Sequence, residues 1–241
     1  MIKTNNSNII YGNNAVREAF QTNRVLSIYI AENFTDKAFL DIIQKCKTPV
    51  SKIHIHELDN MCKGVHQGIA AKCKPYEYHS LEEVIKKSKN SKEHPVFVIL
   101  DGINDPHNMG AILRSCDVFN VSAVIISKHN QVPLNDTVAK TSAGAINYVP
   151  VVLVSNLNQT IDILKSERFW IVSTDGSATL NYNEIDYDFP TALVVGSEGN
   201  GVSKLVLKNS DYVVKIPQFG HVNSLNASVA AGIMLSRIRH K

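Results

Sequence analysis

TALVVGSEGNGVSKLVLKNS (191–210) and DYVVKIPQFGHVNSLNASVAAGIMLSRIRH (211–240) read as two consecutive strand–loop–helix units that close the chain. In each, a short run rich in β-branched residues gives way to a loop of glycines and small polar residues, and a helical pattern follows. Strand ends of this kind form the ligand-binding edge of an open α/β sheet.

The first loop, Gly196-Ser197-Glu198-Gly199-Asn200-Gly201, invites a phosphate-cradle reading, because glycines let backbone N–H groups approach an anion. Two standard tests fail. Gly196 and Gly201 have Walker A spacing, but Val202 stands where the phosphate-binding lysine belongs. The glycine order also departs from the dinucleotide fingerprint, and no ribose-binding acid follows on a suitable strand. Both failures argue against a nucleotide-dependent oxidoreductase and leave open a nucleotide-like ligand held by backbone groups.

The second loop, Ile216 to Asn226, is the more specific signal. Pro217 has no N–H and turns the chain away from the sheet. Ser224 is the expected N-cap of a helix Leu225–Arg239, with Asn226 in its first turn. Ala227, Ala230, Ala231 and Gly232 would let another backbone press against that helix.

Upstream the same alternation repeats from Val96. Apolar runs at 96–100, 123–127, 150–154, 169–174, 191–196 and 212–217 read as strands, with helices near 110–119, 135–146, 156–166, 203–209 and 224–239. Near-continuous apolar strands alternating with helices indicate a parallel sheet covered on both faces. The periodicity alone suggests an ordinary Rossmann-like arrangement.

Residues 9–75 alternate on a smaller scale: helix Asn13–Gln21, strand Ser27–Ala31, helix Asp36–Lys47, strand Lys52–His56, helix Leu58–Lys63 and strand Ile69–Lys74. This gives a small α/β domain over 1–75, a linker over 76–95 and a larger domain over 96–241. The linker is charged, ends at Pro95 and holds a short helix near Leu81–Lys87. Lys86, Lys87, Lys89 and Lys92 are expected to be a solvated face rather than phosphate contacts.

Four cysteines, Cys46, Cys62, Cys73 and Cys116, lack C-x-x-C spacing, which argues against a zinc site and against a disulfide framework. His54 and His56 share one face of the expected strand, yet no third ligand accompanies them, so no metal site is expected. No apolar run approaches a membrane span and the polar start MIKTNNSN does not resemble a signal peptide, so a cytoplasmic protein is expected. Lys and Arg number 14 against 10 acids through residue 95, and 11 against 12 beyond it. The N-terminal part is therefore the better candidate for a polyanion-facing module. Within it, His66-Gln67-Gly68 reads either as an RNA-contacting turn or as a bend that sets the next strand.

DGINDPHNMGAILRSCDVF (101–119), LVVGSEGNGVS (193–203) and VKIPQFGHVNSLNASVAAGI (214–233), taken together and in this order, resemble the three signature motifs of the SpoU/TrmH family of RNA ribose 2′-O-methyltransferases. IIYGNNAVREAF (9–20) and GVHQGIAA (64–71) resemble the RNA-substrate-binding domain of one branch of that family, which is similar to certain ribosomal proteins. The resemblance implies an α/β SPOUT domain whose C-terminal end is tied in a trefoil knot, a homodimer formed through that domain, and S-adenosylmethionine as cofactor. It tilts the substrate toward guanosine in 23S rRNA, with tRNA as the alternative. A catalytically silent RNA-binding or ribosome-assembly factor is the reading from a different class, and the retained motif residues argue against it.

By the same resemblance Arg114 takes the key catalytic place, near the target hydroxyl and its phosphate, with Asn108, Glu198, Ser224 and Asn226 around it. A guanidinium fits a phosphate bidentately and almost never loses its proton, so positioning and electrostatic stabilisation suit Arg114 better than the role of base. Glu198 would orient Arg114 or Asn108. Thr174, Val195, Gly196, Gly199, Ile216, Pro217, Ser224, Leu225 and Ser228 are the implied cofactor contacts. His107 and His221 flank the motifs without occupying their essential positions. Gln218, Ala227 and Asn120 depart from the common Met, Val and Gly.

Overall fold

The structure, a computed structural model, describes residues 8–45, 47–62, 64–91, 93–221 and 224–240. Readings that fall on Cys46, Lys63, Lys92, Val222 and Asn223 lie outside them. The chain divides into two compact units, Met1–Tyr76 and Glu77–Lys241.

In the first unit, β1 (Asn8–Tyr11), α1 (Asn13–Gln21), β2 (Val25–Ala31), α2 (Lys37–Lys45), β3 (Val50–Ile53), α3 (Ile55–Met61) and β4 (Ile69–Cys73) follow in order. The sheet runs β1-β4-β2-β3, with β4 antiparallel to both neighbours and β2 parallel to β3. Ile28, Ile30, Phe39, Ile43 and Ile69 pack its main core, and Arg17 pairs with Asp36 beside it.

The strand expected at Lys52–His56 stops at Ile53. His54 instead caps α3, its Nδ1 accepting from the His56 N–H at 3.4 Å, and the two imidazoles stack at 5.0 Å. The histidines therefore do not project from a strand face. The His66-Gln67-Gly68 turn is braced internally. His66 is 9 % exposed, its Nε2 lies 2.9 Å from Asp59 and its Nδ1 accepts from the Gly68 N–H, while Gln67 Oε1 accepts from the Asn13 N–H at 2.9 Å.

The second unit contains α4 (Leu81–Ser88), β5 (Val96–Asp101), α5 (Pro106–Val118), β6 (Ala123–Ser127), α6 (Asp136–Thr141), a 3₁₀ turn (Ala145–Asn147), β7 (Val151–Val154), α7 (Leu157–Ser166), β8 (Trp170–Thr174), β9 (Leu180–Asn181), β10 (Thr191–Gly196), α8 (Lys204–Lys208), β11 (Tyr212–Lys215) and α9 (Ala227–Arg239). All seven strands are parallel, in the order β7-β6-β5-β10-β8-β11-β9. The stretch read as a linker contributes α4, whose Val84 and Ile85 are buried in one core with Phe97, Ile125, Phe169 and Val194. An amphipathic turn carrying Val84 and Ile85 gains more by burial than by serving as a tether, at about 1.5–3 kcal/mol for each large side chain covered.

Central β5 and β10 are buried along their first five residues, and Gly196 lies opposite Asp101 where both strands end. The chain returns from β10 to the far side of the sheet through β11, so loops from both halves converge at that edge. Asn120, found where a glycine is common, has φ +50° just after α5, a conformation asparagine tolerates. α9 packs on α5, and Arg239 near its end donates to the carbonyls of Phe119 at 2.8 Å and His94 at 3.1 Å. Among the described residues, no helix is long and apolar enough to cross a membrane.

Candidate active site

Three loops meet at the carboxyl ends of β5, β10 and β11. The first leaves β5 through Gly102 at φ +83° and enters α5, which Asp105 caps by accepting from the His107 N–H at 2.9 Å while Pro106 fills the first turn. Asn108 therefore sits in that first turn and is buried. Gly110 behind it allows α5 to lie against α6, because a Cβ there would fall 1.9 Å from Thr141 Oγ1.

The second loop is a tight excursion after β10. Ser197 and Gly201 exchange backbone hydrogen bonds at 3.2 and 2.9 Å, and Asp101 Oδ2 accepts from the Ser203 N–H at 2.8 Å, fastening the loop to β5. A Cβ on Gly196 would stand 2.0 Å from the Gly201 carbonyl carbon. Close approach is thus required at Gly196, and the approaching group is the loop's own backbone.

The third loop leads from β11 into α9. Its N-cap is Asn226 rather than Ser224: Asn226 Oδ1 accepts from the N–H groups of Ser228 at 2.9 Å and Val229 at 3.3 Å, and the helix begins at Ala227. Ser224 and Asn226 are both good capping types, and the neighbours decide between them. The second end of the Asn226 amide is spoken for, because Nδ2 donates to Asn108 Oδ1 at 2.8 Å and to Glu198 Oε1. Asn108 Nδ2 donates to that same Glu198 Oε1 at 3.0 Å. Three side chains from three loops therefore form a closed polar cluster, with lone pairs on Glu198 left for an incoming donor.

A cavity of about 330 Å³ opens beside this cluster, within the range of small-ligand sites. Thr174, Val195, Gly196, Glu198, Gly199, Ile216, Ser224 and Leu225 line it, as do Asp175, Gly176 and Lys215, which the sequence reading did not single out. Their signal was positional: each lies at or just past the end of β8 or β11. Pro217 lines a neighbouring cavity instead, and Ser228 is occupied by the Asn226 cap, its Oγ 2.5 Å from Asn226 Oδ1.

Arg114 is not part of the cluster. Six residues past Asn108 on an α-helix is a rotation of about 240°, and Arg114 is exposed, without a hydrogen bond or ion pair among the described residues. Glu198 thus orients Asn108 and Asn226, not Arg114. His107 and His221 are exposed as well. Among the described residues no group of three or more His, Cys, Asp or Glu is arranged to hold a metal ion.

The cavity suits an adenosyl-type ligand on its own geometry. Val195, Ile216, Leu225 and Ala230 offer apolar surface for a purine, and the strand-end backbone, Thr174 and Glu198 offer polar partners for a ribose or an ammonium group.

Residues 95–236 match the SpoU rRNA Methylase family, and residues 9–79 match the RNA 2′-O ribose methyltransferase substrate binding domain. The chain is 42% identical over 237 residues to a Staphylococcus haemolyticus protein named for the TrmH family of tRNA/rRNA methyltransferases, covering 97% of this chain and 95% of that one. It superposes on the SpoU methyltransferase AviRb from Streptomyces viridochromogenes, crystallised with the cofactor AdoMet, with a TM-score of 0.80 at 21% identity, covering 96% of this chain and 89% of that one. The A. aeolicus TrmH/SpoU tRNA modifying enzyme is 32% identical, with a TM-score of 0.56, over 66% of this chain and 82% of that one.

Proposed function

The chain belongs to the SpoU rRNA methylase family of S-adenosylmethionine-dependent RNA methyltransferases, and from that premise we propose that it methylates the ribose 2′-hydroxyl of a guanosine in 23S rRNA. The observation that carries this reading is the Asn108–Glu198–Asn226 cluster at the mouth of a strand-end cavity. Thr174, Val195, Gly196, Gly199, Ile216, Ser224 and Leu225 would hold the cofactor, with Pro217 behind them. When bound, it supplies an electrophilic methyl group.

The protein's own residues supply position and charge. Asn108 and Asn226 fix the Glu198 carboxylate, whose free lone pairs can take a donor from ligand or substrate. Arg114, free of internal partners among the described residues, is available to grip the phosphate beside the target ribose through two parallel N–H bonds. Fixing the nucleotide in line with the methyl group contributes proximity, and the guanidinium stabilises the negative charge on the ribose oxygen as the hydroxyl proton passes to solvent water.

The smaller unit supports RNA as the substrate through its match to a substrate-binding domain and the excess of basic residues before residue 96. A homodimer formed through the larger unit, and passage of the end of the chain through a loop formed by the preceding segment as a trefoil knot, belong to the same reading. Transfer RNA is the second reading, favoured by the likeness to a tRNA modifying enzyme. Incubation with labelled S-adenosylmethionine and separate ribosomal and transfer RNA pools, followed by alkaline hydrolysis, tests both. An alkali-resistant labelled dinucleotide from ribosomal RNA is expected. Label confined to transfer RNA would replace the substrate, and cofactor binding without label in either pool would leave a binding role.

A further inference from the structure

One large aromatic side chain is used neither by the core nor by the polar cluster. Phe219 is 97 % exposed on the loop between Pro217 and Gly220, and its ring meets no other ring among the described residues. It lines a cavity of about 670 Å³ together with Gly176, Asn181, Lys215, Pro217 and Gln218. Gly176, Lys215, Ile216 and Gln218 belong to the lining of both cavities, so this larger space opens directly from the strand-end cavity. A phenyl ring left in water at such a place forgoes burial that a ligand can restore.

The surrounding chemistry narrows the occupant. Lys215 is the only charged side chain among the described lining residues, is half-buried, and makes no ion pair among the described residues. Gln218 presents an exposed amide without a hydrogen bond among the described residues. The Asn181 amide is engaged, Nδ2 donating to Glu184 at 2.6 Å, so it shapes the wall rather than offering that donor. A flat aromatic platform, one lysine without an ion pair among the described residues, and one free amide match an unpaired nucleotide, which has a π face, a phosphate and a hydrogen-bonding edge. A second copy of the chain would call for a broader apolar patch than a single ring.

Resting on the reading of the enzyme as an RNA methyltransferase, we infer that this cavity receives the unpaired nucleotide next to the one being methylated. Its base stacks on Phe219, its phosphate faces Lys215, and Gln218 meets the base edge. Phe219 is a positioning residue for RNA and touches no reacting atom.

The test compares Phe219→Ala and Phe219→Trp with the wild type on the ribosomal and transfer RNA pools separately. Because the ring is exposed, both variants fold. Base–aromatic stacking is worth ~1–3 kcal/mol, so Phe219→Ala is expected to raise the KM for RNA roughly 5- to 150-fold while kcat and cofactor affinity change little. Phe219→Trp restores the KM, and RNA quenches the added indole emission beyond any change in Trp170 of the wild type. Wild-type methyl transfer with an unchanged KM in Phe219→Ala overturns the stacking platform and leaves the enzyme reading intact. RNA-dependent quenching without any transfer supports the platform and overturns the enzyme reading. A dimer that dissociates in Phe219→Ala, with RNA affinity unchanged, assigns the ring to a second copy and overturns the inference.

Discussion

Asn226 and Asn108 stand 118 residues apart in the chain and 2.8 Å apart through their side-chain amides, and the same Asn226 amide caps α9 with its oxygen. One residue thus performs a local and a long-range task. Asn226→Ala should lose both, costing about 1 kcal/mol for the cap alone and most of the methyl transfer. Asn226→Ser keeps a capping oxygen but has no amide donors for Asn108 and Glu198, so it should unfold near the wild-type temperature while transfer remains low. Thermal unfolding and single-turnover transfer on both variants check this. Wild-type turnover in Asn226→Ser would show that the cluster is not needed for activity.

The glycines of the second loop make different predictions from the same motif. A Cβ at Gly196 would collide with the Gly201 and Val202 backbone at 2.0 and 2.2 Å, whereas nothing lies within 4 Å of one at Gly199. Gly196→Ala should therefore cost about 1–3 kcal/mol through overpacking and displace Glu198 from its two amide donors. Gly199→Ala should leave stability within about 0.5 kcal/mol of the wild type, as for surface changes. Denaturant unfolding and calorimetric titration with S-adenosylmethionine distinguish them, with at least a tenfold loss of affinity, roughly 1.4 kcal/mol, expected only for Gly196→Ala.

Most strands of the larger unit were legible because a buried parallel strand has to be apolar almost throughout, as β5 and β10 are. Short edge pieces left no such trace: β9 is the dipeptide Leu180–Asn181 and β1 only Asn8–Tyr11. The alternation Lys52-Ile53-His54-Ile55-His56 imitates a strand, yet His54 turns it into a helix start through its own side chain. The burial of α4 depends on what Val84 and Ile85 find nearby, which local charge density conceals. Motif resemblance placed Asn108, Glu198 and Asn226 together as candidates, but not the direction of their bonds. Contacts spanning 90 and 118 residues are properties of the sheet order, and no spacing rule encodes them.

Tyr187 gives the larger unit an alkaline signature. Burial, partly offset by the Arg237 guanidinium 5.6 Å from the ring, pushes its phenol up to about 12 from the usual 10. The native state therefore holds this proton more tightly than the unfolded chain. The resulting stability is full below the unfolded value and is lost as pH rises between about 10 and 12. Tyr187→Phe cannot ionise and also lacks the hydrogen bond to the Tyr182 carbonyl at 2.8 Å, so it should be less stable at neutral pH but lose less on going alkaline. Urea unfolding of both proteins across that interval measures the difference in slope. Parallel curves would mean that Tyr187 titrates alike in both states.

Arg114 separates chemistry from architecture most cleanly, because the fold makes no visible use of it. It is exposed on α5 and lacks a hydrogen bond or ion pair among the described residues. Arg114→Ala should leave stability within about 0.5 kcal/mol of the wild type and cofactor affinity unchanged, because the cavity lining does not include Arg114. Methyl transfer should fall by about a hundredfold or more, the scale typical of removing one preorganised charge donor. Arg114→Lys keeps the charge but not the planar fork, so it should recover RNA affinity more than rate if bidentate grip is the contribution. Rapid-quench transfer at saturating RNA reads the chemical step directly. Full single-turnover activity in Arg114→Ala would remove Arg114 from the mechanism and return attention to the polar cluster around Glu198.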